Sequence, residues 1–225
     1  MNKFVVACLG LMLSATTATA QVSTQQKLTD AYLSEAGDHA ALFYAPIEDP
    51  IMAARWANHP FWESEDITIG NVSFSGILYN DVAMRYNVVT QQLVVATPQA
   101  RILVTPNMEK LDWFTLFGKR FEKRGETFCC LEFDENGIKM WHKQVKRRGQ
   151  DRIKDNLVYL SYDVFDSFII NDGKQEFEIK KTKELTKYYP EKKKAIRRLI
   201  GSSGYSKYYT LQQLVYVLKY LNSTK

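Results

Sequence analysis

The chain has few of the residues that build metal sites and disulfide frameworks. It contains three cysteines and three histidines in 225 residues, and His39, His59 and His142 form no His-x-x-x-His or His-x-His pair. A metal site would have to be assembled from distant positions, so we expect no metal and no cofactor. His39 and His142 stand beside charged residues and are predicted to lie on the surface.

Motifs of the commonest enzymes are also missing. The sequence has no Gly-x-Ser-x-Gly nucleophile elbow, no glycine-rich phosphate loop before a helix and no calcium-binding loop. These absences favour a non-enzymatic binding or accessory protein as the first hypothesis. The alternative hypothesis is a hydrolase whose site near His59 draws on Asp81.

No apolar run approaches the ~20 residues that cross a bilayer. The apolar run at residues 4–13 follows Lys3 and precedes small residues at Ala18 and Ala20, which is the arrangement of a cleaved signal peptide. We therefore predict a signal peptide at residues 1–20, cut after Ala20, and a periplasmic or secreted protein. Removal of this segment would leave two cysteines in the mature chain.

Those two cysteines, Cys129 and Cys130, lie in the apolar run at residues 128–133. Neighbours on a strand point to opposite faces, so the two thiols are poorly placed to bridge each other. No further cysteine or histidine stands at the short spacing of a metal site. We predict that both cysteines pack as small hydrophobic residues in a buried strand.

Alternation of apolar and polar residues dominates residues 67–105. Val82, Met84, Tyr86 and Val88 fall on one side of an extended strand, and the intervening residues fall on the other. Turn residues interrupt these runs repeatedly, which predicts an antiparallel meander. Further strands are predicted at residues 108–121, covered on both faces, and in two hairpins whose turns are residues 134–137 and 171–174, with an exposed loop at 146–149.

Helical spacing is confined to the two ends of the chain. Residues 24–41 predict a short helix that stops near Gly37, and residues 181–225 predict two helices, one ending near Ile200 and one beginning at Thr210. The predicted fold class is α+β with a predominantly antiparallel sheet. The predicted organisation is a signal peptide (1–20), a β-rich domain with an N-terminal helix (21–180) and a basic helical segment packed on the sheet (181–225).

Positive charge is concentrated in the last quarter of the chain. Residues 174–225 contain 13 Lys and Arg against 4 Asp and Glu, a balance of +9, whereas residues 21–173 contain 16 against 21, a balance of −5. Export argues against a nucleic acid as partner. The remaining interpretations are contact with an anionic membrane surface, contact with an acidic envelope protein, or a solvated polar helix face. The predicted basic surface consists of Lys192, Lys193, Lys194, Arg197 and Arg198.

One segment is dense in aromatic residues. Trp56, His59, Phe61 and Trp62 predict a ligand-binding platform, with stacking rings and His59 as a polar group. The alternative is that the large rings close one end of the sheet. The ligand or envelope partner is not defined by these residues.

Several segments together resemble a group of uncharacterised exported β-rich proteins of Bacteroidota. They are Asn58-His59-Pro60-Phe61, residues 70–85 (GNVSFSGILYNDVAMR), residues 92–95 (QLVV) and the helix with Lys192-Lys193-Lys194. The resemblance covers most of the mature chain as an order of segments. It implies a secreted or periplasmic setting in a Gram-negative cell, and it implies no activity or catalytic residue.

Overall fold

A computed structural model describes residues 27–48, 55–204 and 210–223. The predicted α+β fold class is confirmed: most of the described chain is antiparallel sheet, with helices near both ends. The signal-peptide prediction, with its cleavage at Ala20, lies outside the described residues. Helix α1 covers residues 27–36 and ends at Gly37, whose φ of +50° stops the helix as predicted.

Thirteen strands follow α1 in the described chain, and the last of them ends at Ile179. They are β1 (Arg55–Trp56), β2 (Thr68–Phe74), β3 (Ile77–Asn87), β4 (Gln92–Ala96), β5 (Leu103–Val104), β6 (Leu111–Leu116), β7 (Lys119–Arg124), β8 (Thr127–Glu135), β9 (Ile138–Arg148), β10 (Arg152–Lys154), β11 (Leu157–Leu160), β12 (Tyr162–Asn171) and β13 (Glu176–Ile179). The C-terminal helices are α2 (Leu185–Tyr188), α3 (Lys193–Ser202) and α4 (Thr210–Ser223).

Ten strands form one antiparallel sheet in the order β13-β12-β9-β8-β7-β6-β2-β3-β4-β5. The remaining three form a small sheet, β1-β11-β10, in which β1 and β11 are parallel. The predicted meander is confirmed as β2 to β5. Because side chains alternate along β3, Val82, Met84 and Tyr86 are buried together on one face, as predicted.

Two apolar clusters lie along the large sheet. The first is built on β2 to β8 and covered by the 27–45 region, and its centre is the stacked pair Phe114 and Phe121 at 4.7 Å. In the second, Ile196 of α3 and Leu218 of α4 pack against β8, β9, β12 and β13. The two helices thus bury their apolar faces on the sheet, which leaves the polar face of α3 outside.

Both cysteines are buried and free, as predicted. Cys130 belongs to the first apolar cluster, while Cys129 packs against Trp141 and Ile169 on the opposite side of β8. Burial raises the pKa of each thiol, which keeps both in the unreactive protonated form.

Two strand predictions are wrong in detail. Residues 108–121 form two strands, β6 and β7, because Phe117 and Gly118 make a turn with φ of +51° and +73°. Residues 146–149 are not an exposed loop: β9 continues to Arg148, since β12 pairs with it as far as Tyr162. The long pairing of β9 with β12 overrides the local signal of three consecutive basic residues.

Asp172 in the β12–β13 turn provides a test of acid stability. Its carboxylate accepts hydrogen bonds from the backbone N–H groups of Lys174 (2.9 Å) and Gln175 (3.0 Å) and from the hydroxyl of Tyr189 (2.9 Å). Burial raises the pKa of Asp172, but these hydrogen bonds outweigh burial and hold it below the ordinary value of 3.8. The stability that this carboxylate contributes is therefore present above pH 3.8 and is lost as the pH falls through its folded-state pKa.

We expect Asp172→Asn to lower the free energy of unfolding by about 1–2 kcal/mol near neutral pH. The difference from wild type should shrink below pH 3.8, where the wild-type carboxyl group also begins to lose its charge. Urea unfolding of wild type and Asp172→Asn near neutral pH and below pH 3.8 measures this difference. Asp155→Asn, in the exposed β10–β11 turn, is the control. An equal loss at both pH values would contradict the role of the charge.

Candidate functional site

The predicted aromatic platform lies mostly inside the protein. Phe61 is 1% exposed and Trp62 is 3% exposed. The ring of Trp62 meets the rings of Phe121 and His142 at centroid distances of 5.1 and 5.0 Å. Phe61 and Trp62 therefore offer no open ring face to a ligand, and they close the core as in the alternative interpretation.

Trp56 and His59 are half-buried on either side of Phe61. Within the described chain, Nε1 of Trp56 and Nδ1 of His59 are buried without a hydrogen-bond partner. Burial lowers the pKa of His59, the charge of Lys146 acts in the same direction, and Glu65 opposes both. A ligand-binding role for Trp56 and His59 stays a prediction.

The pair of residues suggested for a hydrolase is not brought together. His59 lies near Asn87, because Phe61 bridges Asn87 at the end of β3. Asp81 is six residues earlier on the same strand, which places it about 20 Å away. No side-chain carboxylate or hydroxyl of the described residues is hydrogen-bonded to His59. The predicted pairing of His59 with Asp81 is wrong.

Lys146 is the residue of this region that sequence reasoning missed. Its ammonium donates to the backbone carbonyls of His59 (2.8 Å) and Phe61 (2.6 Å), and the residue is 8% exposed. Burial lowers its pKa, while Asp166 acts in the opposite direction. Alternation along β9 from Met140 would have indicated an inward position for Lys146, but its basic neighbours hid that signal.

The prediction that His142 lies on the surface is wrong. Its side chain is 12% exposed and stacks on Phe168 with ring centroids 4.9 Å apart. Nε2 lies 2.8 Å from Oδ1 of Asp166, and Nδ1 lies 4.0 Å from Oε1 of Glu132. Glu132 is also paired with Lys119 at 3.1 Å. These side chains form a polar network that includes the half-buried imidazole of His142.

The imidazole of His142 and the carboxylate of Asp166 have the contact geometry of an acid–base pair. No serine or threonine hydroxyl and no thiol of the described residues is hydrogen-bonded to the imidazole of His142. Cys130, its neighbour on β8, is buried, and burial together with Glu132 raises the pKa of its thiol. Within the same residues, no group of three or more His, Cys, Asp or Glu side chains is placed to hold a metal ion.

The basic surface lies on α3. Lys193, Lys194, Arg197 and Arg198 are exposed, and Lys192, just before the helix, is half-buried. None of the four exposed side chains forms an ion pair within 4.0 Å in the described part of the chain. We call these four residues the basic face of α3.

Exposed apolar residues gather around the small sheet. Ile153 of β10 is 76% exposed and pairs with Val158 of β11, which is exposed as well. Phe165 of β12, the strand that follows β11, is also exposed. β13 pairs with β12 only from Phe168 onward, so among the described strands none pairs with the first half of β12 on that side. The side chain of Asn58 covers the backbone of Tyr162 there, and charged residues follow, which limits further pairing.

Comparison of the chain with protein families, curated proteins and solved structures finds no match. The resemblance to exported Bacteroidota proteins therefore stays a prediction. None of the described helices is both long and apolar enough to cross a membrane. The function must be inferred from the geometry of the site itself.

Proposed function

We propose that the protein is an exported, non-enzymatic binding protein of the cell envelope that attaches to an anionic membrane surface through the basic face of α3. The observation that carries this proposal is a group of four exposed cations on α3 that form no ion pair within 4.0 Å with any residue the structure describes. All four are exposed on the helix whose Ile196 side chain is buried.

The fold holds the basic face in a fixed orientation. Ile196 is fully buried, and Leu199 and Ile200 pack against the same cluster, so α3 is anchored to the sheet by its apolar side. The four cations are therefore held in the exposed part of an anchored helix. A Lys or Arg near an anionic membrane surface contributes about 1 kcal/mol, so four contribute about 4 kcal/mol, which is roughly a thousandfold in partitioning.

The attachment is electrostatic and peripheral. Because the apolar side of α3 is already used in the core, the helix has no free apolar face to insert among lipid chains. Contact is limited to headgroups, and such contact is screened by salt with a Debye length of about 8 Å at physiological ionic strength. Predicted export makes a membrane surface a more accessible polyanion than a nucleic acid.

Vesicle sedimentation tests this proposal. Wild type should bind phosphatidylglycerol-containing vesicles, should not bind pure phosphatidylcholine vesicles, and should be released by salt. A variant with Lys193→Gln, Lys194→Gln, Arg197→Gln and Arg198→Gln should bind roughly a thousandfold more weakly.

A matched control removes the same charge elsewhere. Lys110→Gln, Lys123→Gln, Arg152→Gln and Lys154→Gln are all at exposed positions in strands and turns outside α3. This control should keep most of the binding, because it leaves the basic face of α3 intact, although its net charge equals that of the test variant. Equal losses in the two variants, or binding that ignores lipid charge, would overturn the proposal. Failure of wild type to bind anionic vesicles would overturn it in favour of an acidic protein partner.

A further inference from the structure

A cavity of about 230 Å³ lies between α1 and the large sheet. Its lining includes the apolar residues Leu33 from α1, Phe43 from the following segment and Val82 from β3. It also includes one acidic and one basic residue, Asp81 and Arg101, which are exposed and therefore belong to its rim. The cavity thus combines apolar lining residues with two opposite charges.

A bulge in β3 places Asp81 at the rim. Gly70 of β2 pairs with Val82 and Val72 pairs with Tyr79, so two residues of β3 stand opposite the single residue Asn71. Asp81 adopts a left-handed backbone with φ of +54°, and its N–H donates to Oδ1 of Asn71 at 3.3 Å. The bulge interrupts the strand alternation, and Asp81 lines the cavity at this point.

A tethered loop places Arg101 on the rim. The loop closes through the backbone bond from Thr97 N–H to the carbonyl of Ile102 at 2.9 Å. The carboxylate of Asp38, just after α1, accepts the N–H groups of Gln99 (2.8 Å) and Ala100 (3.0 Å). Arg101 itself has a φ of +55°, which costs an arginine about 1 kcal/mol or more. The loop is held to the end of α1 in a strained conformation that presents Arg101 at the cavity.

The two charges of the rim are not neutralised by the protein. In the described part of the chain, neither the carboxylate of Asp81 nor the guanidinium of Arg101 has an ion pair within 4.0 Å or a side-chain hydrogen bond. They line one cavity, yet they do not pair with each other. A ligand that carries both charges would satisfy both groups at once.

We infer that this cavity binds a small zwitterion, an α-amino acid with an aliphatic side chain. Arg101 binds the carboxylate, for which a guanidinium offers two parallel hydrogen bonds, and Asp81 binds the ammonium. The side chain of the ligand lies against Leu33, Phe43 and Val82. The volume is below the roughly 300–1,000 Å³ of pockets for drug-sized ligands, which limits the occupant to a small molecule. This site is distinct from the basic face of α3.

Titration with L-leucine, followed by calorimetry and by amide NMR shifts, tests the inference. Two probes each remove one charge: leucine methyl ester lacks the carboxylate and N-acetyl-leucine lacks the ammonium. Leucine should bind in the millimolar range or better, and each probe should bind on the order of 10- to 100-fold more weakly, because one hydrogen-bonded charge is lost. Shifts should appear at Val82, Ala83 and Ala96, which line the cavity.

Asp81→Asn and Arg101→Gln should each weaken leucine binding on the order of 10- to 100-fold. Asp155→Asn is the matched control for Asp81→Asn, since Asp155 is also exposed and left-handed with φ of +52°. Arg152→Gln is the control for Arg101→Gln. Circular dichroism verifies that all four variants are folded. The inference is overturned if leucine gives no shifts at millimolar concentration, if both probes bind as tightly as leucine, or if the controls lose as much affinity as the cavity variants.

Discussion

Lys146→Ala is expected to lower the free energy of unfolding by about 3 kcal/mol. The substitution leaves the carbonyls of His59 and Phe61 without their donor, and each unsatisfied buried acceptor costs about 1–3 kcal/mol. The loss should release the segment that carries Trp62, since the ammonium of Lys146 joins it to β9. Denaturant unfolding measures the change.

Two further variants separate the causes of this loss. Lys146→Met keeps most of the buried side-chain volume and removes the donor, so it should retain a large part of the destabilisation. Lys123→Ala, at an exposed position in β7, should change stability by less than about 0.5 kcal/mol. If Lys146→Met were as stable as wild type, the hydrogen bonds to the two carbonyls would have no energetic role.

The difference in stability between wild type and Lys146→Met should depend on pH in one direction. Burial holds the folded-state pKa of Lys146 below the ordinary value of 10.5. Between those two pKa values the unfolded chain binds more protons than the folded chain, so the stability of wild type rises with pH there. Lys146→Met lacks this group, so the advantage of wild type over Lys146→Met should widen as the pH rises toward 10.5. A constant difference would contradict the lowered pKa.

Gly70→Ala is expected to lower the free energy of unfolding at least as much as Lys146→Ala does. A Cβ atom on Gly70 would overlap the backbone carbonyl oxygen of Thr115 and lie 3.0 Å from its carbonyl carbon. Backbone cannot turn aside as a side chain can, so β2 and β6 would have to separate. That movement breaks the hydrogen bond from Asn71 N–H to Oγ1 of Thr115 (2.8 Å) and loosens Val72 against Phe114. We expect a loss of about 3 kcal/mol or more.

Gly201→Ala is the matched control for Gly70→Ala. Gly201 lies in α3, and an added Cβ would meet no atom within 4 Å. Alanine should therefore stabilise the protein by about 0.5–1 kcal/mol through its better helix propensity. Thermal unfolding of the two variants should move in opposite directions. A Gly70→Ala variant as stable as wild type would show that the close approach of β2 and β6 is not required.

Local signals accounted for much of the fold. The period-2 pattern around Met84 predicts β3 and its buried face, because alternate side chains of an extended strand lie on the same face. Asn136-Gly137 predicted the β8–β9 turn, whose two residues have positive φ. Phe117-Gly118 was missed as a turn because phenylalanine is unusual at positive φ and because β7 has only one fully buried residue, Phe121.

Site residues were harder to predict than strands. The sequence points to Asp81 but suggests His59 as its partner, and His59 lies near the opposite end of β3. Arg101 was not named, because nothing in its neighbours along the chain distinguishes it from a solvated arginine. Of the five residues of the predicted basic surface, Lys193, Lys194, Arg197 and Arg198 are exposed on α3, whereas Lys192 is half-buried just before the helix.

The amino-acid sequence by itself determined the strand periodicity, the Asn136-Gly137 turn, the burial of Cys129 and Cys130 and the spacing of cations on α3, because each depends on residues close together in the chain. Tertiary structure alone decided that Lys146 binds the carbonyls of His59 and Phe61, that His142 lies between Glu132 and Asp166, and that Asp81 and Arg101 share a cavity. These contacts join residues far apart in sequence. Their partners are set by strand order and register, which only the assembled sheet defines.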